Sequence, residues 1–392
     1  MKNETKYYTE FALWTVIMLF ITGGITQTFF SEMGISPAQI SLIASVINVA
    51  QIFMMIFNIF VSDIIKNLKR TISILKLSPM LFFLVLLPFC FIKSINTNIF
   101  FYCAIFASCI VNLFLGFYNV LSYRFVYQIT DIKNYATLTN MSVIISSVIT
   151  VLLSAVITYL STRFPFRYIA ITFFIISIVF SIITSLIVKS MKIIDHEQET
   201  QKSEKFDLSI LLKQDFAYFY IPNFLRGCTN GIITVMSVIC IKNITDSPVV
   251  LSSLVTVYYF ACIVASILYE FITKKIKTAT IYVLSSIFLF IVLPFSLLGK
   301  SLPVFIIFYA VSIIFYSIVS SSNPVYFSEI IDYREIGRYT ATRMITMTLG
   351  QAISGFFVSF SIERIPSVFI LVVCGTCQLV SGIMLYLYKF KE

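Results

Sequence analysis

Apolar runs of about twenty residues recur along almost the whole chain, and this periodicity constrains the fold more than any other feature. A helix needs about 20 mostly apolar residues to cross the hydrocarbon core of a bilayer. Runs of that kind lie near residues 11–30, 39–62, 71–92, 98–122, 138–160 and 167–189. A second set lies near 216–241, 249–271, 278–298, 302–322, 341–362 and 367–388. Of the 392 residues 59% are hydrophobic and 12% charged, against about a quarter charged in soluble domains. Such a chain must be solvated by lipid. The reading is an all-α membrane protein of twelve transmembrane helices.

The net charge of +10 does not point to nucleic acid, because the basic residues sit in short tracts between the apolar runs. With the N-terminus on the cytosolic side, twenty Lys and Arg fall on inner segments, six on outer loops, and Lys76 and Arg226 inside spans. By the positive-inside rule both termini face the cytosol, across a plasma (inner) membrane. Residues Met1 to Glu10 read as a polar flank, and the run after them lacks a small-residue cleavage site, so no signal peptide is expected.

The second half repeats the first. Ile21-Thr-Gly-Gly-Ile-Thr26 matches Cys228-Thr-Asn-Gly-Ile-Ile233, and Ser36-Pro-Ala-Gln-Ile-Ser41 matches Ser247-Pro-Val-Val-Leu-Ser252. Asp63 falls on Glu270, Arg70-Thr71 on Lys277-Thr278, and Leu87-Pro88-Phe89 on Leu293-Pro294-Phe295. These anchors keep one order at offsets of 206 to 211 residues, and most are residue types that hydrophobicity does not impose. The expected organisation is two pseudo-symmetric six-helix bundles, 1–190 and 215–392, joined by a cytosolic linker at 191–214. Two such halves imply a binding site near the bilayer midplane, reached alternately from each side.

On these features the chain resembles the major facilitator superfamily over essentially its full length. The loop after the second span has Asp63 followed by Lys66, Lys69 and Arg70, with Ile59 where that family's glycine would stand. The loop Tyr326-Phe-Ser-Glu-Ile-Ile-Asp-Tyr-Arg-Glu-Ile-Gly-Arg338 is similar to that of the glycoside–pentoside–hexuronide:cation symporters, the melibiose-permease group. That group binds its coupling cation through acidic residues on the second helix, where this chain has Gln51 and Met55. The resemblance implies alternating access, with the first, fourth, seventh and tenth helices lining the cavity. It also implies gate roles. Asp63 would hold the start of the eleventh helix near Arg338 and Arg343, and Glu270 the start of the fifth near Arg124.

Ionisable residues inside a span are functional by default. Arg226 is the leading candidate, since its guanidinium suits a carboxylate or phosphate on a substrate. If the seventh helix instead starts near Pro222, Arg226 reaches to the headgroups. No carboxylate is expected deep in any span, and Lys76 is expected to snorkel. Polar residues recur at helical spacing around Arg226, as Asn223, Asn230 and Thr234. Similar stripes are Ser108, Asn112, Asn119 and Ser122, and Ser312, Tyr316, Ser320 and Asn323. Thr22, Thr26 and Gln27, Asn48 and Gln51, and Gln351 complete the candidate lining.

The expected function is secondary active or facilitative transport, symport included, of a small polar, possibly anionic solute by a monomer in contact with lipid. No cofactor, metal or nucleic-acid partner is expected. A lipid-linked oligosaccharide flippase, a non-transporting sensor and a membrane-embedded enzyme are the alternatives. The enzyme would need catalytic groups in the bilayer, and the single histidine, His196, lies in the polar hinge. No phosphate-loop motif is present for an ATP-driven pump. Cys374-Gly-Thr-Cys377 lies inside the last apolar run, where small residues let helices approach closely.

Overall fold

The computed structural model describes residues 3–22, 24–61, 65, 67–92, 96–130, 132–193, 214–298, 301–330 and 336–388. The helices in the first half are α1 (Asn3–Leu19), α2 (Gly24–Glu32), α3 (Pro37–Val61), α4 (Leu68–Leu75), α5 (Pro79–Leu86), α6 (Thr97–Ile129), α7 (Ile132–Ser161) and α8 (Phe166–Ser190). Those in the second are α9 (Gln214–Thr234), α10 (Met236–Asn243), α11 (Pro248–Thr273), α12 (Thr278–Phe295), α13 (Leu302–Ile330), α14 (Ile336–Ser361) and α15 (Ser367–Tyr388). Eleven helical stretches among the described residues are long and apolar enough to span a bilayer. A twelfth forms if Tyr220–Thr234 and Met236–Asn243, bent by 45°, are one span.

Side-chain placement is that of a lipid-solvated protein. Phe53, Phe106, Phe260, Phe271 and Phe360 are exposed, while Ser177, Ser181, Asn112 and Asn223 are buried. Polar groups turn inward because hydrocarbon offers them no hydrogen bonds. Hydroxyls in the spans mostly bond back to a carbonyl one turn earlier, as Thr150 to Ser146 and Ser181 to Ser177 do, each at 2.8 Å.

The chain divides into two compact units, one of residues 1–35 and 46–206, the other of 36–45 and 207–392. In the first unit α1 packs on α7 and α8, and α4 and α5 pack on α6 and α8. Its core holds an aromatic cluster in which the rings of Phe29 and Phe174 meet edge-on at 5.1 Å and Phe89 and Phe100 at 5.2 Å. The 3-10 turn Leu87–Phe91 ends the third span, and Arg167 at the start of α8 gathers the carbonyls of Phe89, Cys90 and Ile92. At the opposite end Asn3, Lys6 and Lys69 donate to Ile129, Ser190 and Met191 carbonyls respectively. In the second unit α9 packs on α14 and α15, and α13 on α11 and α12. The Ser359 hydroxyl donates to the Ala38 carbonyl, which belongs to this unit.

Several anchors of the repeat occupy like positions. Pro37 opens α3 and Pro248 opens α11, where the missing N–H and fixed φ suit a first helical turn. Pro88 lies in the 3-10 turn ending the third span, and Pro294 in the last turn of α12. The spans match their predicted cores closely, with one difference that matters. The first begins at Asn3, not near residue 11, so Glu10 lies within it.

Candidate functional site

In the second unit α9 begins at Gln214 and continues through Pro222, so Arg226 stands twelve residues into the helix. That is about 18 Å at 1.5 Å per residue. The helix therefore does not begin at Pro222, and the stretch apolar enough to span a bilayer begins at Tyr220. Arg226 is 7% exposed, and its Nη2 donates to the Ser320 hydroxyl at 3.1 Å. Its Nε has no partner, and no carboxylate pairs with it among the described residues.

The stripe on α13 meets this arginine. Ser312, Tyr316 and Asn323 are buried and Ser320 is half-buried. One turn further on, Asn323 Oδ1 accepts from Arg343 Nη1 of α14 at 3.4 Å. The Ser312 hydroxyl and the Asn323 amide nitrogen lack partners among the described residues. Two guanidinium groups are thus tied to one face of α13.

The remaining second-unit candidates lie on α9 and α14. Asn223 is buried, Asn230 and Gln351 are half-buried, and Thr234 is exposed. The Gln351 main chain lies against Gly231, and its carbonyl accepts from Ser354. In the first unit, Gln51 Nε2 donates to Asn112 Oδ1 at 2.7 Å, and Asn112 Nδ2 donates to the Ser108 carbonyl at 2.8 Å. Gln27 is buried; Thr22 and Asn119 are half-buried. Thr22 bonds back to Met18, and the Asn119 carbonyl accepts from Ser122.

Of the predicted gate residues, Asp63 and the side chains of Arg124 and Arg338 lie outside the described residues. Glu270 ends α11 exposed and pairs with Lys274 of the same helix at 3.9 Å, a contact that solvent screening makes weak. Arg343, the remaining gate candidate, donates to Asn323 near the start of α14.

Two expectations are overturned together. Lys76 does not snorkel; it is 1% exposed and its Nζ lies 2.5 Å from Glu10 Oε1. Glu10, 2% exposed, is a buried carboxylate within the helical stretch of the first span, where none was expected. The ammonium also lies over the rings of Trp14 and Tyr118, at 3.6 and 4.1 Å from their centroids. A lysine finding both a counter-charge and two aromatic faces gains more inward than by reaching for headgroups.

The cysteines are free thiols. Cys374 Sγ faces the Thr229 carbonyl at 3.6 Å while the Thr229 hydroxyl donates to the Cys374 carbonyl, joining α9 to α15. Among the described residues no His, Cys, Asp and Glu cluster could hold a metal ion.

The fold is shared with solved transporters. A D-xylose-proton symporter superposes with a TM-score of 0.70 at 12% identity, covering 97% of this chain and 96% of that one. The nucleoside transporter NupG gives 0.65 at 15%, covering 99% and 97%. The fucose:proton symporter FucP of E. coli gives 0.61 at 14%, covering 99% and 98%. No curated protein matches the chain in sequence. The Major Facilitator Superfamily matches residues 10–222 and 219–392, nearly the whole chain in two successive segments. The chain therefore belongs to the Major Facilitator Superfamily and is a multi-pass transporter of small solutes.

Proposed function

We propose that the carrier moves a small solute bearing a carboxylate or phosphate, held in the second unit by Arg226. The observation that carries this reading is the arginine itself, buried on α9, tied to Ser320 by one nitrogen and lacking a carboxylate partner among the described residues. A guanidinium offers a planar fork of donors that matches an oxyanion. Tyr316 and Asn323 supply further hydrogen bonds along the same stripe. Gln51, Asn112, Asn119, Gln27, Thr22, Asn223, Asn230 and Gln351 are assigned to the lining, and Asp63 and Glu270 with Arg124, Arg338 and Arg343 to the gate.

The loop Tyr326 to Arg338 supports kinship with the melibiose-permease group. Gln51, already bonded to Asn112, offers no charge for a sodium ion. In this reading the protein acts as a monomer in the plasma membrane with both termini cytosolic, and it has no enzymatic role.

The test is a thermal-shift screen of the purified protein against small carboxylates, organic phosphates, neutral sugars and nucleosides. Anions are expected to raise the unfolding temperature of the native protein and not of Arg226→Ala. A neutral solute stabilising both proteins equally would overturn the anion reading. It would favour a polyhydroxylated solute held by the Ser, Tyr and Asn stripe alone.

A further inference from the structure

The first unit contains a buried charge pair that the reading at Arg226 does not use. Glu10 comes from α1 and Lys76 from the end of α4, and their side chains are 3% and 1% exposed. An ion pair so far from water gains little net stability over apolar groups of the same shape. Ionisable groups kept inside membrane spans mark ion or proton paths.

The pair is unequal. Lys76 has three supports: the Glu10 carboxylate, the Trp14 indole at 3.6 Å and the Tyr118 ring at 4.1 Å. Beyond that contact with Lys76, Glu10 Oε1 receives no hydrogen bond among the described residues. The ammonium therefore still has the two aromatic faces if the carboxylate is neutralised. The reverse does not hold, because a carboxylate left without Lys76 would have no other support at that oxygen.

The span is also broken at this point. Helix α4 ends at Leu75, and the amides of Leu77 and Ser78 make short i to i−3 bonds to Ile74 and Leu75. Helix α5 then restarts at Pro79. Interrupted helices in transporters gather at ion and substrate sites, where main chain can adjust as charge changes.

We propose that Glu10 is a proton-binding site of this carrier, with Lys76, Trp14 and Tyr118 forming the cage that holds the remaining positive charge. The carboxylate takes up one proton and becomes a neutral acid, and the pair passes from zero to one net positive charge. Release of that proton restores the ion pair. Both side chains are sealed from solvent in the present structure, so exchange requires a second arrangement in which Glu10 meets water.

Few other titratable groups face the site. Tyr118 reaches it from α6, and Tyr7 lies one turn below Glu10 on α1. From α7, Ser146 bonds Thr15. On α8, Arg167 is bound to carbonyls at the far end and Lys189 is exposed. Glu4 is exposed at the start of α1. This proposal does not depend on the anion reading, and either can fail alone.

Trp14 is the single tryptophan of the protein, so its emission reports on this cage without a label. The full-length protein in detergent is titrated from alkaline to acid pH. A one-proton transition in Trp14 emission is expected, retained in Tyr118→Phe and Glu10→Asp and abolished in Glu10→Gln. A native protein that stays folded with flat emission overturns the proposal, as does a transition that persists in Glu10→Gln. Should Glu10→Gln fail to fold, native protein alone decides. A hydrophobic carbodiimide, which adds to protonated carboxyls, should modify Glu10 faster as pH falls. Peptide mass spectrometry showing no pH-dependent modification of Glu10 would overturn the proposal equally.

Discussion

Gly227 lies so close to Met347 that a Cβ on the glycine would stand 2.1 Å from the methionine's carbonyl oxygen. The approach is reciprocal, since a Cβ on Gly350 would come within 2.2 Å of the Phe224 carbonyl. Helices α9 and α14 therefore touch main chain to main chain, the close contact that small residues permit between membrane helices. Arg226, the residue before Gly227 in α9, takes its position from that seam.

Gly227→Ala should therefore destabilise the second unit. The obstacle is main chain, which cannot swing aside as a side chain can. Overpacking of this kind costs about 1–3 kcal/mol. Thermal unfolding in detergent should show a lower midpoint than the native protein. An unchanged midpoint would mean that α9 and α14 can part without loss.

At Arg226 the expected effects are graded. Truncating one partner of a desolvated charge pair costs about 2–5 kcal/mol, and about 1.4 kcal/mol is tenfold in affinity. Arg226→Ala should thus weaken an anionic solute at least about 30-fold, by those magnitudes. Arg226→Lys keeps the charge without the fork and should fall between. Ligand titration by thermal shift or calorimetry checks the order, and normal binding in a folded alanine variant would remove Arg226 from the site.

The pair Gln51 and Asn112 makes a cleaner energetic test. Gln51→Ala leaves the Asn112 oxygen buried without its donor, an effect of about 1–3 kcal/mol in soluble proteins. Coupling between polar partners in membrane proteins averages only about 0.6 kcal/mol, with a maximum near 1.7. The smaller range is expected here, read from a double-mutant cycle of Gln51→Ala and Asn112→Ala. A coupling near zero would show that the 2.7 Å contact adds no stability.

Lys76→Met should be among the most destabilising single changes in the first unit. It strands the Glu10 carboxylate, and breaking a buried pair from one side costs about 3–5 kcal/mol. The double variant Glu10→Gln with Lys76→Met should recover most of that loss, because no unpaired charge remains. A double variant as unstable as Lys76→Met would show that the lysine stem's packing, and not charge, holds the site.

Much of the architecture was legible from local patterns. Twelve apolar runs predicted the spans, and the prolines at 37 and 248 mark helix starts because their chemistry acts within one turn. The stripe Ser312, Tyr316, Ser320 and Asn323 likewise shows one helix face. The Glu10–Lys76 pair was not legible, for a physical reason. A glutamate ten residues from the N-terminus looks like a flank until its partner is known, and that partner lies on another span. Lys76 alone carries the signature of a snorkelling lysine; only packing brings Trp14 and Tyr118 around it. Arg226 was legible as a candidate, but its depth depended on whether Pro222 begins a helix or interrupts one.

That no carboxylate pairs with Arg226 among the described residues has an electrical consequence. Glu10 and Lys76 cancel each other, whereas the arginine leaves a positive charge within the bilayer-embedded part of the second unit. A monovalent anion bound there would cancel the charge of Arg226. A transmembrane voltage does work of about 2.3 kcal/mol on each charge carried through 100 mV. Under the anion reading, voltage therefore acts more strongly on the reorientation of the empty carrier than on that of the loaded one. Current transients should appear in the absence of substrate and shrink as the substrate is added.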